Sequence, residues 1–176
     1  MSLLTDAARA FVHTAHMKHI TLALTILMSS AAVAAQHTHA SHAAMDARGS
    51  KAMGFDQSRA SHHFVLTPDG GRIEIDVKEK NDVETRDRIA KHLEQVSRQF
   101  KAGDFAIPHE THGEVPPGVA VMTALRADID YTFESAPAGG RLKITARSAD
   151  AVEAVHAYLR YQIQEHRTGD PLTVRR

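Results

Sequence analysis

The chain has 176 residues with 21 basic and 21 acidic side chains, so its formal net charge is zero. Such a balance offers no basic face for a nucleic acid, and we expect no nucleic-acid partner. Cysteine is absent, which excludes disulfides and thiolate ligands. Only His, Met, Asp and Glu side chains are left to hold a metal ion.

Residues 17–35 carry the pattern of an export signal. A short basic start (MKH) is followed by an apolar run (ITLALTILM) and a small, uncharged stretch (SSAAVAA). This order is typical of a secretory signal peptide, and cleavage after Ala34 or after Ala35 fits the small residues. The apolar run is too short to span a bilayer, which takes about 20 residues. We therefore expect export to the periplasm and no membrane span after cleavage.

Two segments flank this signal. Residues 1–16 are interpreted as a gene-model extension, with Met17 as the true start, because a compact basic start is the usual form; the alternative is a long N-terminal region of the signal. Residues 36–61 contain only Met45, Met53 and Phe55 as large apolar side chains. These are too few to offset the entropy lost on ordering. The segment is predicted to be a flexible tail, with a docking point at Met53-Gly54-Phe55.

A β-β-α pattern occupies residues 62–104. The short apolar strand FVL precedes the turn TPDGG, and a second strand alternates apolar and polar residues in RIEIDV. The following helix is predicted to begin at Asn81 or Asp82 and to end at Gly103. Its apolar stripe consists of Ile89, Leu93, Val96 and Phe100.

Residues 130–171 repeat this plan, since GGRLKI matches GGRIEI and RTGD matches KAGD. The second helix is predicted from Ser148 to Gly169, with the stripe Val152, Val155, Leu159 and Ile163. We predict one α+β domain over residues 62–176, a tandem β-β-α repeat that forms a four-stranded antiparallel sheet with two helices on one face. Residues 105–129 form a connector whose prolines break regular structure, apart from a short third helix.

The blocks MGFDQ, HHF, THG, PPG and HRTGDP, together with the Gly-Gly hairpin, resemble a family of small exported proteobacterial proteins. The resemblance covers most of residues 53–171. It implies a real domain in an exported protein. No activity is established for that family, so the resemblance implies no mechanism.

Histidine is frequent, with 13 in the chain, and His37, His39 and His42 lie in the predicted tail. Imidazole is the commonest nitrogen ligand for copper, zinc and nickel, and a flexible segment with this spacing can wrap one ion. Cleavage after Ala34 would place His37 third, where the free amine, two amide nitrogens and the imidazole form a square-planar set for Cu(II) or Ni(II). The competing interpretation is a solvated tail that keeps the cleavage site accessible.

Four more histidines lie in the strand and the connector. His62 and His63 begin the first strand, where neighbours point to opposite faces, so that the two cannot easily share one ion; a solvated pair is the simpler interpretation. His109 and His112 lie in HETHGE, which is not the HExxH motif of zinc proteases. A loop can still turn both imidazoles toward one ion, and Met122 could add a thioether for Cu(I).

The three helix histidines are assigned structural roles. His92 flanks the apolar stripe and is expected in solvent. His156 lies on the core side and is expected to be half-buried and hydrogen-bonded. His166 falls in the last helical turn, where the helix dipole favours a cation.

The resulting hypothesis is an exported periplasmic protein that binds a transition metal for buffering, delivery or sensing. Copper is preferred, with zinc or nickel possible. The candidate ligands are His37, His39, His42, His62, His63, His109, His112 and Met122. One alternative is a non-catalytic module that docks a periplasmic protein through its open sheet face or its connector. Another is a small metal-dependent enzyme with Glu110 or Glu114 as the base, although no serine-hydrolase, P-loop or dinucleotide motif is present.

Overall fold

The computed structural model describes residues 43–175, and the chain from Met45 onward forms one compact unit. Four antiparallel strands form one sheet in the order β1-β2-β4-β3. The strands are β1 (Ala60–Thr67), β2 (Gly70–Val77), β3 (Ile129–Ala136) and β4 (Gly139–Ala146). The helices are α1 (43–53), α2 (Val83–Ala102), α3 (Ala106–His112), α4 (Val119–Ala124) and α5 (Ala149–Glu165), with 3-10 turns at Gln57–Arg59 and Arg126–Asp128. None of the helices in this range is long and apolar enough to cross a membrane.

The predicted α+β class is confirmed, because the order β-β-α occurs twice and the strands form one antiparallel sheet with helices on one face. β2 and β4 pair at the centre, where Ile73 lies opposite Leu142. Apolar residues alternate along the strands, and those on the helix side are buried. Helix α2 packs mainly over β3 and β4, whereas α5 packs mainly over β1 and β2. Each helix therefore covers the hairpin of the other repeat, and neither repeat can bury its core alone.

The boundaries of α2 follow the predicted signals, and α5 begins as predicted after its N-cap Ser148 but does not end as predicted. Asp82 caps α2 by accepting a hydrogen bond from the Thr85 N–H at 3.1 Å, and Gly103 ends the helix in a left-handed conformation. Helix α5 ends at Glu165, with His166 as its C-cap, rather than running to Gly169. The early end leaves the His166 ring stacked on His62 of β1.

The structure differs from the predicted flexible tail over residues 43–61. Residues 43–53 form α1, and β1 already begins at Ala60. Met45 and Phe55 are buried, and the Arg48 side chain donates a hydrogen bond to the Thr111 carbonyl at 3.1 Å. A few apolar side chains suffice here because they enter a core that the rest of the domain has already built. Residues 36–42 lie outside the described residues.

The connector contains two short helices, α3 and α4, rather than one. Pro108 does not prevent α3, because it lies in the first helical turn, where its missing N–H is not needed. Met122, a predicted copper ligand, is fully buried in the hydrophobic core. It packs there because α4 turns it inward, and this core position gives no support to its predicted role as a thioether ligand.

The uncovered face of the sheet is polar. Arg141 donates two hydrogen bonds to the Asp76 carboxylate, each at 2.8 Å. Glu74 forms ion pairs with both Arg72 and Arg141. These charges satisfy one another across β2 and β4, so this face does not present an apolar docking surface.

Replacing Gly118 by alanine is expected to destabilise the domain. Gly118 precedes α4 with a φ of 85°, and a Cβ there would lie 2.1 Å from the Ala154 carbonyl oxygen of α5. Backbone strain and this overlap together predict a loss of about 2–3 kcal/mol in the free energy of unfolding, measured by urea denaturation.

Gly54→Ala is the matched control for this variant. Its φ is 77°, and an added Cβ would meet nothing within 4 Å, so only the conformational cost of about 1 kcal/mol is expected. Equal losses in the two variants would contradict a tight contact between Gly118 and α5.

Candidate functional site

A cavity of about 60 Å³, here called the inner cavity, lies between the sheet and the helices on the side of β1. Four histidines from four different elements line it: His62 of β1, His92 of α2, His112 of α3 and His166 at the end of α5. Met53 of α1 also lines it. The other lining residues are apolar except for Thr111, Tyr158 and Gln162. No charged side chain belongs to this lining.

The strand register decides which of the two adjacent β1 histidines enters the inner cavity. His62 pairs with Ile75, a buried core residue, whereas His63 pairs with Glu74 on the polar face. The expectation that these neighbours point to opposite faces is therefore confirmed. Only His62 can contribute to a site beneath the helices.

His166 lies at the centre of the histidine cluster. Its ring centroid is 5.7 Å from that of His62, with the planes 10° apart, and 5.2 Å from that of His112. Phe55 stacks on the other side of His62 at 6.3 Å and meets His92 edge-on at 5.8 Å. The rings thus form one continuous cluster around a small space.

The hydrogen bonding of His112 determines its tautomer. Its Nε2 lies 3.1 Å from Oε1 of Gln162. With the Gln162 amide oxygen facing the ring, as it is placed here, Nε2 is the nitrogen that donates and Nδ1 keeps its lone pair. This Nδ1 is buried without a hydrogen-bond partner in the structure as described. A metal-ligating histidine commonly donates its other ring N–H to an oxygen acceptor, and His112 has this geometry.

Two further nitrogens of the lining have no hydrogen-bond partner in the described region, His62 Nε2 and Gln162 Nε2. An unsatisfied buried polar group costs about 1–3 kcal/mol. Such groups call for an explanation, commonly a water, an ion or a functional role. With His112 Nδ1, three unpartnered nitrogens belong to residues around one cavity, which is therefore suited to a polar guest.

Burial holds the imidazoles of the cluster in the neutral form. Desolvation lowers the pKa of His62 and of His92 to about 4. The pKa of His166 falls to about 3, because His62 and His112 add to the effect of desolvation. Desolvation also lowers the pKa of His112, although the hydrogen bond that its Nε2 donates to Gln162 opposes it. Neutral imidazole is the form that ligates metal ions.

The size of the inner cavity decides which guests it can hold. Pockets for organic ligands measure about 300–1000 Å³, far above the 60 Å³ found here. A water molecule needs about 10–15 Å³. The inner cavity therefore accommodates a single ion or a few waters, and it excludes an organic cofactor.

An open cleft of about 540 Å³, here called the outer cleft, adjoins the inner cavity and shares His62 and His166 with it. His63 also lines the outer cleft. Its Nδ1 lies 3.1 Å from Oδ1 of Asp170. The other oxygen of Asp170 accepts a hydrogen bond from the Phe64 N–H at 2.9 Å.

Of the predicted metal ligands, the inner cavity brings together only His62 and His112. His109 is exposed on α3, so the predicted convergence of His109 and His112 does not occur. His37, His39 and His42 lie outside the described residues. Between residues 43 and 175, no group of three or more His, Cys, Asp or Glu side chains is arranged to hold a metal ion.

Three lining residues with a possible ligand atom were not predicted as metal ligands: Met53, His92 and His166. His92 is only 7% exposed, not solvated as expected, because Phe55 covers it. His166 is a neutral ring against two other histidines, not a cation at a helix end. His156 is hydrogen-bonded as expected, since its Nε2 lies 2.9 Å from the Thr67 carbonyl oxygen, but it is buried rather than half-buried.

One signal in the sequence could have pointed to the inner cavity. The blocks MGFDQ, HHF, THG and HRTGDP, which carry the family resemblance, contribute Met53, His62, His112 and His166 to a single lining. Comparisons of the chain with protein-family models, with curated proteins and with solved structures found no match.

Proposed function

We propose that this protein is exported, binds one cuprous ion in the inner cavity and serves copper buffering, delivery or sensing in the periplasm. The observation that carries this proposal is the unpartnered Nδ1 lone pair of His112, which belongs to a cavity lined by three other neutral imidazoles. Met53 adds a thioether to the same lining. Imidazole suits copper, and thioether ligands select its cuprous state.

The charge of the lining supports Cu(I) over divalent ions. Moving an ion out of water into an apolar interior is very costly unless a counter-charge compensates it, and this cost grows with the square of the ionic charge. The lining of the inner cavity contains no carboxylate. A monovalent cation therefore fits this environment better than Zn(II), Ni(II) or Cu(II).

The number of available ligands points the same way. Structural zinc sites need four ligands in a tetrahedral arrangement. Cu(I) has a filled d shell and is stable with a lower coordination number, provided that its ligands are soft. The ring of His166 packs against those of His62 and His112, but the three imidazoles are not arranged as a tetrahedral zinc site. Two of these imidazoles and the Met53 thioether make a sufficient donor set for Cu(I).

Anaerobic titration of the demetallated protein with Cu(I), against a calibrated chelator, is expected to give one bound ion per chain. Native mass spectrometry provides the stoichiometry. A variant with glutamine at His37, His39 and His42 is expected to bind as tightly as the wild type, because the inner cavity supplies the ligands. Uptake that disappears with the tail histidines would contradict the proposal. If the protein takes up no Cu(I), the proposal is wrong, and the cavity is explained by bound water alone.

Two methionine variants provide matched controls within this titration. Met53→Leu is expected to weaken Cu(I) binding, since the thioether leaves the cavity lining. Met122→Leu keeps the core filled, should cost less than about 1.5 kcal/mol of stability, and should leave Cu(I) binding unchanged. The opposite pattern would move the site to the connector.

A further inference from the structure

Residues 45–53 of α1, here called the lid, pack on α3 and border the inner cavity. The inward side of this helix consists of Met45, Gly49 and Met53, which follow one another at about one helical turn. Met45 and Gly49 are buried, and a Cβ at Gly49 would lie 3.2 Å from Cγ2 of Thr111 in α3. Met53 and Thr111 both line the inner cavity. The lid therefore fits closely on α3 and contributes a thioether to the cavity.

One side chain fastens the lid to the end of α3. Arg48 donates hydrogen bonds to the Thr111 carbonyl at 3.1 Å and to the His112 carbonyl at 3.4 Å; these two bonds are here called the latch. The last carbonyls of a helix have no partner within the helix, so the latch satisfies two such groups. Because His112 is also a proposed ligand, the latch and the copper site meet at the same residue.

The chain that follows the lid is held more firmly. Phe55 is buried and packs against two rings of the histidine cluster. Arg59 forms an ion pair at 2.7 Å with Asp82, whose side chain is only 6% exposed, and Arg88 donates to the Gly54 carbonyl at 3.0 Å. Gly54 itself has a φ of 77°, and the space around its Cβ position is open. Since glycine changes conformation at little steric cost, the lid can leave α3 while the residues after Gly54 stay in place.

The lid is weakly attached compared with the rest of the domain. An isolated helix shorter than about 12–15 residues is marginal in water, so a lid that leaves α3 also unfolds. Its buried residues are Met45 and Gly49 alone, and the glycine buries no side chain. Segments with few buried apolar contacts and exposed backbone hydrogen bonds open locally at a lower free energy than the whole domain.

From these contacts we infer that the lid opens by local unfolding and that a Cu(I) ion in the inner cavity holds it closed through Met53. A ligand shifts such an equilibrium only by its different affinities for the two states. The thioether supplies this difference, because an open lid leaves the ion with imidazoles alone. Copper occupancy thus controls the order of the lid, and an open lid favours release of the ion. The inference rests on the proposed function, since it assigns the regulation of the same site.

Hydrogen–deuterium exchange of the full chain, measured on peptides by mass spectrometry, tests this coupling. Without copper, the lid amides are expected to exchange well before those of the sheet. Saturating Cu(I) should slow lid exchange by about tenfold, within the roughly 5- to 150-fold range of coupled equilibria. Because linkage is reciprocal, this factor should equal the ratio of the Cu(I) affinities of the closed and open states.

Met53→Leu separates the thioether from the packing of the lid. Leucine fills similar space but offers no sulfur, so saturating Cu(I) should leave lid exchange of this variant unchanged. Native mass spectrometry verifies that the variant is loaded. Met122→Leu is the matched control, because Met122 belongs to the core and not to the cavity lining. It should keep the full slowing by copper.

Arg48→Gln tests the latch. It removes the donors to α3 and is expected to speed lid exchange by about fivefold, both with and without copper. Lys51→Gln is the matched control, since it makes the same kind of change at an exposed position of the same helix. Lid exchange of this control should stay at the wild-type rate. Equal rates in the two variants would show that Arg48 does not hold the lid, and the inferred lid would then be wrong.

The outcomes distinguish this inference from the proposed function. Lid exchange that does not respond to Cu(I), in a wild type that native mass spectrometry shows to be loaded, would overturn the lid and leave the copper site intact. Equal slowing in Met53→Leu would also overturn it, because copper would then act without the thioether. If the wild type binds no Cu(I), the proposed function and the inference both fail.

Discussion

Replacing His112 by asparagine is expected to lower the Cu(I) affinity by about a hundredfold or more. Losing a residue that hydrogen-bonds to a metal ligand typically costs about 10- to 100-fold in affinity, and losing the ligand itself should cost more. Among the four histidines of the inner cavity, His112 is the one whose nitrogen lone pair is assigned from a hydrogen bond of its ring. Asparagine stays polar at the end of α3 but has no nitrogen lone pair to offer. Chelator competition under anaerobic conditions measures the change.

His109→Asn is the matched control, because it makes the same chemical change on the exposed side of the same helix. It should leave the affinity unchanged. Gln162→Leu should give an intermediate loss of about tenfold, because it removes the acceptor that holds the His112 tautomer. Equal affinities for His112→Asn and His109→Asn would exclude the inner cavity as the copper site.

The proposed site explains a packing feature that stability alone would not favour. Unpartnered nitrogens of His62, His112 and Gln162 surround the inner cavity, although apolar residues of similar size would fill it at lower cost. Functional sites commonly keep such unfavourable groups because a ligand compensates them when it binds. Copper binding should therefore raise the thermal stability of the domain.

The sheet and its helices were predictable because their signals are local. The alternation around Ile73 and Ile75 and the helical stripe from Ile89 to Phe100 follow from the periods of strand and helix. These residues are buried as expected. Each repeat leaves an apolar face that needs a partner, so the two hairpins are expected to join into one sheet. The observed order β1-β2-β4-β3 has this arrangement.

The site was less predictable because it depends on contacts between distant segments. The burial of His92 requires Phe55, which comes from a segment too polar to form a core by itself. The contact of His166 with His62 requires α5 to end at Glu165, ahead of the glycine that marked its predicted end. Likewise, composition could not decide that Met53 rather than Met122 reaches the histidines.

Between about pH 7 and about pH 5, the demetallated protein is expected to lose roughly 6 kcal/mol of its unfolding free energy. The pKa is about 4 for His62 and His92 and about 3 for His166, against an ordinary value of 6.5. In this range the unfolded chain binds protons that the folded chain does not, so acid favours unfolding. Each of these histidines contributes about 2 kcal/mol. The contribution of these histidines to the free energy of unfolding is fully present above their ordinary pKa of 6.5. It is lost as the pH falls from there toward their pKa values in the folded state.

Urea unfolding at several pH values, followed by circular dichroism, measures this loss. Carboxylates with lowered pKa values, such as Asp82 and Asp170, lose their contribution only at lower pH, so the range above pH 5 isolates the histidines. His92→Phe should flatten the pH dependence by about a third, because it removes one titrating ring from an apolar position. His109→Asn should leave the dependence unchanged. A stability that does not vary over this range would mean that the histidine cluster is well solvated, and the desolvation that favours a monovalent ion would then be absent.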